Sequence, residues 1–272
     1  MNNSSLASTL TNRIKVLFMG RKGVAKQCLQ YLLDSESYSV VGVITDSHLE
    51  TSPTGDLATK YGIPLYSFDE ALAKLKSKEL IFDLGISMLF WRKLKDDFIS
   101  MPKFGTINFH PAPLPDYKGT AGYNLAILDA LESWGMTVHY IDEDIDTGDI
   151  IEVLTFPICK ETETVKSLEA RSQEYLFELF KKTIDKILTA ETHRLVTVPN
   201  TGGVYVSRAD MESMKEIKPG DDIARKIRAF WFPPYDGAYI TIDGKKYSLV
   251  DSNILSTLAD GNVSNVFGKQ NA

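Results

Sequence analysis

Asn108 and His110 are the first residues whose types and spacing point to chemistry. They end the apolar run GTINFH, and side chains two apart on a strand project from the same face. Pro111, Pro113 and Pro115 follow directly. Because proline lacks a backbone N–H and restricts the residue before it to extended geometry, the chain cannot continue the sheet here. The pattern predicts an amide and an imidazole held side by side at the end of a strand.

An acidic loop further along the chain is a natural partner for the imidazole. It lies in the segment HYIDEDIDTGDII and carries Asp142, Glu143, Asp144 and Asp146. So many like charges require solvent or a partner, and we expect Asp146 to orient the His110 ring and to raise its pKa. Taken alone, Asp146 has a second interpretation as a turn residue, since Asp-x-Gly is common in turns.

An amide, an imidazole and a carboxylate are suited to passing an acyl group to an amine without a covalent intermediate. Asn108 and a protonated His110 would donate hydrogen bonds to the oxygen on which negative charge develops. Asp146 would accept the proton of the amine, directly or through water.

The surrounding elements are predicted from hydrophobic periodicity. Apolar runs typical of buried strands alternate with helical patterns: RIKVLFMG, SVVGVITD, LIFDLGIS and GTINFH. This alternation predicts an α/β fold with a Rossmann-like parallel or mixed sheet and helices on both faces. Ligands bind beyond the carboxyl ends of the strands in such sheets, where Asn108 and His110 lie.

The chain divides into four predicted segments. Residues 1–12 are polar and predicted to be a disordered tail, and residues 13–196 form the Rossmann-like domain. Residues 197–252 are predicted to form a small, mostly β C-terminal segment with a hairpin turn at Asp243-Gly244. Residues 253–272, rich in Asn, Ser and Gly, are predicted to be a loose tail.

Composition excludes several classes of function. The net charge of −6 over 272 residues argues against a nucleic-acid binder. Cys28 and Cys159 are too few for a disulfide framework and lack zinc-site spacing, so we expect no metal. No run approaches the roughly 18 apolar residues of a membrane span. We therefore expect a cytoplasmic protein with no nucleic-acid or membrane partner.

Two segments carry a family resemblance: NFHPAPLPDYKGTAGYNLAI and MTVHYIDEDIDTGDII. Together they resemble the formyltransferases that use 10-formyltetrahydrofolate, and the likeness covers about residues 15–250. By this resemblance Asn108, His110 and Asp146 match the catalytic amide, imidazole and carboxylate of the family. His139 also matches, although a satisfied core histidine is the alternative interpretation.

One branch of the family is most similar. The stretches YNLAILDALESWGMTVHYIDEDIDTGDII and IRAFWFPPYDGAYITIDGKKYSL look like the amino-sugar branch. The resemblance implies formylation of the amine of a nucleotide-linked amino sugar, with dTDP favoured and GDP or UDP possible, in lipopolysaccharide O-antigen biosynthesis. An exposed edge in the late hairpin suggests a homodimer.

The resemblance also implies binding residues. The folate would lie against a strand end and the acidic loop, touching Ser87, Met88, Phe90, Trp91, Ile141, Asp142 and Asp144. The diphosphate would contact the first turn, Gly20, Arg21 and Lys22, which departs from a dinucleotide fingerprint. The sugar would contact Lys118, Tyr123 and Asn124. Trp231 and Tyr235 would stack on the nucleobase, or form a packing patch instead.

Two other functions stay open. One is formylation of methionyl-tRNA, whose enzymes normally carry a larger basic C-terminal barrel; here the bases after Pro199 are matched by a similar number of acids. The other is a non-catalytic module that binds a nucleotide sugar or a folate on the same scaffold.

Overall fold

The computed structural model of the chain describes residues 13–45 and 52–259, with side chains described as far as residue 256. The tail predicted at 1–12 and the part of the second tail at 260–272 lie outside the described residues. Within the described ranges, no helix combines the length and the apolar character needed to cross a bilayer.

A seven-stranded sheet forms the centre of the molecule. The described strands are β1 (Ile14–Gly20), β2 (Tyr38–Ile44), β3 (Leu65–Tyr66), β4 (Leu84–Met88), β5 (Thr106–His110), β6 (Tyr117–Gly119), β7 (Ser133–Tyr140), β8 (Ile150–Pro157), β9 (Val204–Val206), β10 (Tyr239–Ile242) and β11 (Lys245–Ser248). The large sheet has the order β3-β2-β1-β4-β5-β7-β8. The first five strands in this order pair in parallel. The β5–β7 and β7–β8 pairs are antiparallel.

Helices cover both faces of this sheet. They are α1 (Gly23–Leu33), α2 (Pro53–Lys60), α3 (Phe68–Lys76), α4 (Asp96–Ser100), α5 (Gly122–Leu128), α6 (Val165–Thr189), α7 (Arg208–Ser213), α8 (Ile223–Ala229) and α9 (Ser252–Ala259). Because strand side chains alternate between faces, Val16 and Phe18 belong to one core cluster and Leu17 and Met19 to another. The mixed, Rossmann-like sheet with helices on both faces confirms the predicted fold class.

Helix α6 is the longest helix and covers one face of the sheet. The Thr164 side chain caps its start by accepting a hydrogen bond from the Ser167 N–H. The predicted apolar stripe is buried throughout: Leu168, Leu176, Leu179, Phe180, Ile184 and Ile187. Burying each such side chain contributes about 1.5–3 kcal/mol, so the stripe holds α6 firmly against the sheet.

The C-terminal segment contains the predicted hairpin and more helix than its sequence suggests. Strands β10 and β11 are joined at Asp243 and Gly244, whose φ angles of 48° and 75° suit a type I′ turn. Helices α7 and α8 precede the hairpin. Residues 252–259 form α9 rather than the start of a loose tail, because Ile254 is buried in an apolar cluster with Phe230.

A small parallel pair, β6 with β9, links the two predicted domains. Tyr117 lies opposite Val204 and Gly119 opposite Val206. This pair crosses the boundary that the sequence predicts at 196/197. The C-terminal segment is therefore hydrogen-bonded to the stretch that follows the prolines.

Candidate active site

Three polar residues lie in a row across neighbouring strands of the sheet. The register places Ser87 of β4 opposite Asn108 of β5, and Asn108 opposite His139 of β7. Ser87 Oγ donates to Asn108 Oδ1 at 2.8 Å, and Asn108 Nδ2 lies 3.1 Å from His139 Nε2. Strand pairing alone therefore brings together residues from three separate stretches of sequence.

The hydrogen bonds of this row fix the direction of each donor. The carbonyl oxygen of Tyr140 only accepts, so His139 Nδ1 donates to it at 2.7 Å. The other ring nitrogen, Nε2, faces the Asn108 amide nitrogen. In the described part of the chain, this leaves the second N–H of the Asn108 amide available to the cavity that Asn108 lines.

Asp146 approaches the row from the acidic loop. Its backbone has φ 57°, an uncommon left-handed conformation for a residue with a side chain. Its Oδ2 accepts a hydrogen bond from the Gly119 N–H at 3.0 Å. Its Oδ1 lies 3.5 Å from His110 Nδ1 and 3.7 Å from His139 Nε2. The carboxylate thus faces both histidines and is 9% exposed.

The surroundings of Asp146 keep it ionised. Burial by itself raises the pKa of this carboxyl. The neighbouring His139 and His110 rings and the hydrogen bond from the Gly119 N–H together outweigh burial and lower the pKa below its usual range. A buried carboxylate that stays charged is able to accept a proton from a bound amine.

His110 is buried with oxygen atoms beside both ring nitrogens. Its Nε2 donates to the Tyr117 carbonyl oxygen at 2.8 Å, and its Nδ1 faces Asp146. Asp146 acts to raise the pKa of His110, as expected from the sequence, but the net shift is downward. Burial lowers the pKa of this ring, and Asp146 and the Tyr117 carbonyl only partly oppose that effect.

A cavity of about 90 Å³ opens beside this row. Of the seven residues expected to touch a folate, the structure places six in its lining: Ser87, Phe90, Trp91, Ile141, Asp142 and Asp144. Asn108, His139 and Asp146 line it as well. Met88 does not, because its side chain is fully buried in the core.

The first turn of the fold follows β1 but does not line this cavity. Gly20 packs so closely against β4 that a Cβ there would lie 2.8 Å from the Met88 carbonyl oxygen. Lys22 Nζ pairs with Glu169 Oε1 at 3.2 Å on the surface, and Arg21 is half-buried. The glycine has a packing reason of its own, and the two bases stay candidates for a phosphate contact.

The residues expected to contact the sugar make contacts within the protein. Lys118 Nζ donates to the Gly202 carbonyl at 2.7 Å. Asn124 is 8% exposed and donates to the Ala229 carbonyl at 2.7 Å. The Tyr123 ring packs 6.1 Å from the Trp134 ring. Tyr123 and Asn124 therefore join α5 to its surroundings, and their contact with the sugar stays a prediction.

Trp231 lines a second cavity, of about 540 Å³. It forms between the start of α6 and the C-terminal segment, with Lys166, Ser167, Arg228 and Ile254 also in its wall. Tyr235 is 65% exposed and lies outside this wall. The two aromatic residues expected to stack on one base are therefore not brought together in one cavity.

Sequence reasoning missed several residues of the first cavity. Arg92, Lys93, Leu94 and Ile145 also line it. Arg92, Lys93 and Leu94 directly follow the strand-end residues expected to hold the folate, and Ile145 lies in the acidic loop. Their position next to the expected contacts is the signal that could have found them. Lys93 Nζ pairs with Asp144 Oδ1 at 3.1 Å, a contact that requires knowledge of the fold.

Comparison with known proteins is consistent with this geometry. The family model described as "Formyl transferase" matches residues 12–184. Methionyl-tRNA formyltransferase of Staphylococcus aureus strain JH1 is 26% identical over 256 residues, covering 89% of this chain and 80% of that protein. The same enzyme of Listeria innocua is 28% identical over 260 residues, covering 91% of this chain and 81% of that protein.

Solved structures share the fold. A 4-N formyltransferase from Francisella tularensis superposes with a TM-score of 0.73 at 24% identity, covering 88% of this chain and 97% of that chain. An N-formyltransferase from Helicobacter canadensis, in complex with folinic acid and dTDP-3-aminofucose, has a TM-score of 0.67 at 26% identity and covers 86% of each chain. Since the family model spans well over half of the sequence, the chain belongs to the formyl transferase family.

Proposed function

We propose that the protein transfers a formyl group from 10-formyltetrahydrofolate to the amino group of a nucleoside-diphosphate-linked amino sugar, with dTDP as the favoured nucleotide. The observation that carries this proposal is the meeting of Asn108, His139 and Asp146 at the rim of one cavity at the carboxyl ends of the strands. A hydrogen-bond donor and an ionised carboxylate at one place suit acyl transfer to an amine.

The neighbours support the choice of substrates. The Helicobacter canadensis enzyme was solved with folinic acid and a dTDP-linked amino sugar. A sugar 3N-formyltransferase solved with dTDP and 5-N-formyl-THF has a TM-score of 0.66 at 25% identity, covering 86% of this chain and 84% of that chain. Both ligand pairs combine a folate with a dTDP group, as we propose for this protein.

The lining of the first cavity suits a folate. Its walls combine apolar side chains, Phe90 and Ile141 among them, with the carboxylates of Asp142 and Asp144. A flat ring with polar edges is compatible with apolar faces and acceptors at the rim. Trp91, 51% exposed, and Ile145, 43% exposed, line the same cavity. When bound, the folate would supply the formyl group as an acyl donor.

The residues of the site would then act in concert. Asn108 would direct its second N–H to the formyl oxygen as the amine nitrogen attacks and negative charge develops. Asp146 would accept the proton that the amine loses. His110 Nε2 already donates to the Tyr117 carbonyl, so we propose His110, 3.5 Å from Asp146, as a relay for that proton rather than as the second donor expected from the sequence. The new bond joins the sugar nitrogen to the formyl carbon, while the bond from that carbon to the folate nitrogen breaks and that nitrogen takes up a proton.

The sugar nucleotide would extend away from this point. We keep Arg21 and Lys22 as proposed contacts of the diphosphate, because both lie on the turn after β1. We keep Trp231 as the proposed platform for the base, because it lines a cavity of about 540 Å³. Tyr235 and Lys118 stay weaker proposals, since one is exposed and the other is already bound to Gly202.

Formylation of methionyl-tRNA is the second candidate, and the curated relatives favour it by name. Charge argues against it. In the C-terminal segment, Lys215 pairs with Glu212, Arg225 with Asp222 and Lys226 with Asp221. Bases that are already paired release fewer counterions on meeting a phosphate backbone, so we expect weak binding of tRNA.

Three further parts of the hypothesis concern cellular context. We propose a cytoplasmic enzyme of lipopolysaccharide O-antigen biosynthesis that works as a homodimer. The β10–β11 hairpin supports pairing of two copies, because Ile242 and Tyr247 are 51% and 48% exposed and an isolated hairpin is marginally stable in water. Light scattering at several protein concentrations would measure the oligomeric state.

The test of function is a substrate panel. The protein is mixed with 10-formyltetrahydrofolate and 3-amino or 4-amino sugars linked to dTDP, GDP or UDP, and mass spectrometry detects the formylated sugar. Asn108→Ala serves as the matched control, because loss of one oxyanion donor lowers rates about 10²- to 10³-fold. We expect product with a dTDP sugar and almost none from the variant.

Each other outcome has a defined meaning. If the Asn108→Ala variant forms product as fast as the wild-type protein, the proposed role of the amide is refuted. Binding of a dTDP sugar without product would favour the non-catalytic module. Formylation of methionyl-tRNA, with none of any amino sugar, would establish the second candidate in place of the first.

A further inference from the structure

Asn200 connects the C-terminal segment to the loop that carries Asp146. Its side-chain Nδ2 donates to two backbone carbonyls, those of Asp146 and Gly148, at 3.0 Å each. The amide group has two N–H donors, so both are used on this one loop. Asn200 is 9% exposed and lines neither cavity, so it is placed to act on the loop rather than on a ligand.

The loop needs such support. Asp146 has φ 57°, a conformation in which side chains are disfavoured unless the surroundings impose it. Gly148 is packed so tightly that a Cβ would lie 2.0 Å from the Tyr140 carbonyl oxygen. Asn200 holds the carbonyls of both residues, and it thereby constrains the turn that directs the Asp146 carboxylate toward His110 and His139.

The same stretch of chain reaches the carboxylate by a second route. Beyond Asn200 the chain forms β9, which pairs with β6. β6 supplies the Gly119 N–H that donates to Asp146 Oδ2 and the Tyr117 carbonyl that accepts from His110. Residues 200–206 therefore hold Asp146 from its backbone and from its side chain.

We infer that Asn200 is the positioning residue of Asp146. It acts through the loop by fixing the backbone from which the carboxylate projects, and its effect on catalysis rests on the function proposed above. Asn200 Oδ1 is buried and, among the described residues, accepts no hydrogen bond. Such an atom costs folding stability, which the two donated bonds offset.

The central experiment compares Asn200→Leu with Asn200→Gln. Leucine keeps the branched shape but has no donor, whereas glutamine keeps both donors on a side chain one methylene longer. We expect Asn200→Leu to lower kcat at least tenfold while KM for both substrates stays within about threefold. We expect Asn200→Gln to recover part of kcat. Should the leucine variant fail to fold, Asn200→Ser retains one donor and is expected to give an intermediate kcat.

Tyr38→Phe is the matched control for a general loss of stability. Tyr38 donates its hydroxyl to the Ile184 carbonyl at 2.7 Å and is part of the core away from the site. We expect this variant to lower Tm without changing kcat. If the Asn200 variants follow the same pattern, or if they raise KM at unchanged kcat, the positioning role is refuted.

A second readout does not depend on turnover. Hydrogen exchange of the Gly119 amide reports its bond to Asp146 directly. We expect faster exchange at Gly119 in Asn200→Leu and unchanged exchange in Tyr38→Phe. If the wild-type protein formylates no substrate while this difference is present, the proposed function fails and the positioning of Asp146 stands. Unchanged exchange at Gly119 would overturn the inference.

Discussion

The strand-end cluster of Ser87, Asn108, His139 and Asp146 and the second cavity around Trp231 are built in different ways. Strand register makes neighbours of Ser87, Asn108 and His139, whose side chains are joined at 2.8 and 3.1 Å, and the acidic loop adds Asp146. The second cavity lies between the start of α6 and the C-terminal segment, which contact each other there through side-chain packing. A rigid polar row suits a reaction, whereas a larger cavity between packed elements suits recognition of a ligand. We therefore expect substitutions in the cluster to change kcat and substitutions in the cavity to change KM.

The largest expected effect comes from Asp146→Asn. The amide keeps the shape of the side chain but cannot accept the amine's proton, and general acid–base catalysis is typically worth about 10²- to 10⁴-fold. We expect kcat to fall within that range, with KM changed far less, in a steady-state assay with a dTDP amino sugar.

Circular dichroism and the binding of folinic acid serve as controls for this variant. Both should match the wild-type protein, because the Gly119 N–H can still donate to the remaining carbonyl oxygen. A proportional rise in KM at constant kcat would show that Asp146 binds substrate and would erase the contrast between the cluster and the cavity.

The two regions also differ in how far the sequence predicts them. Asn108 and His110 could be placed together because side chains alternate along a strand and ligands lie at carboxyl ends in such folds. The same reasoning located the acidic loop with Asp146. Ser87 and His139 lie in register with Asn108 only because β4 and β7 flank β5, and the family resemblance, rather than strand order, brought them to attention.

Other features of the site depend on contacts that the sequence does not show. The pKa of His110 depends on burial, which a list of neighbouring charges does not contain. Asn124 follows the proline segment, yet its amide turns to Ala229, 105 residues away. Asn200 is 54 residues from Asp146 in a segment expected to be a separate appendage. Contacts across such separations are set by tertiary packing, and local patterns do not report them.

The second prediction concerns the second cavity and Trp231. Trp231→Ala removes the proposed stacking surface, and stacking on an aromatic side chain contributes about 1–3 kcal/mol per base. We expect KM for the sugar nucleotide to rise about 5- to 150-fold, since 1.4 kcal/mol corresponds to tenfold, while kcat stays within about threefold. Trp231→Phe, which keeps a smaller ring, should show a fraction of this rise.

Isothermal titration with dTDP alone separates recognition of the base from an effect on folding. We expect Trp231→Ala to weaken binding of dTDP as much as it raises KM. Unchanged affinity for dTDP would assign the aromatic residue to packing of the C-terminal segment, and the second cavity would then have no part in recognition of the nucleotide.

The smallest expected effect is on thermal stability and comes from the titration of His110 and Asp146. Burial lowers the pKa of His110 below its ordinary value of 6.5, so the folded state favours the neutral ring. The stability this confers is fully present above about pH 6.5 and is lost as the pH falls through the lower, folded pKa, because the unfolded chain binds the proton more readily. Asp146, whose folded pKa is also lowered, adds a loss only at more acidic pH, near and below the ordinary pKa of a carboxyl.

The measurement is Tm at a series of pH values between 7 and 5 for the wild-type protein and His110→Gln. Glutamine offers an amide donor to the Tyr117 carbonyl but does not titrate. We expect the wild-type Tm to fall more steeply on acidification than that of the variant, by roughly 2–4 °C for each kcal/mol in a chain of this size. Trp231→Phe should keep the wild-type slope, because no titration of a buried ring is removed there. Equal slopes for the wild-type protein and His110→Gln would mean that Asp146 and the Tyr117 carbonyl fully offset burial, so that folding leaves the pKa of the ring unchanged.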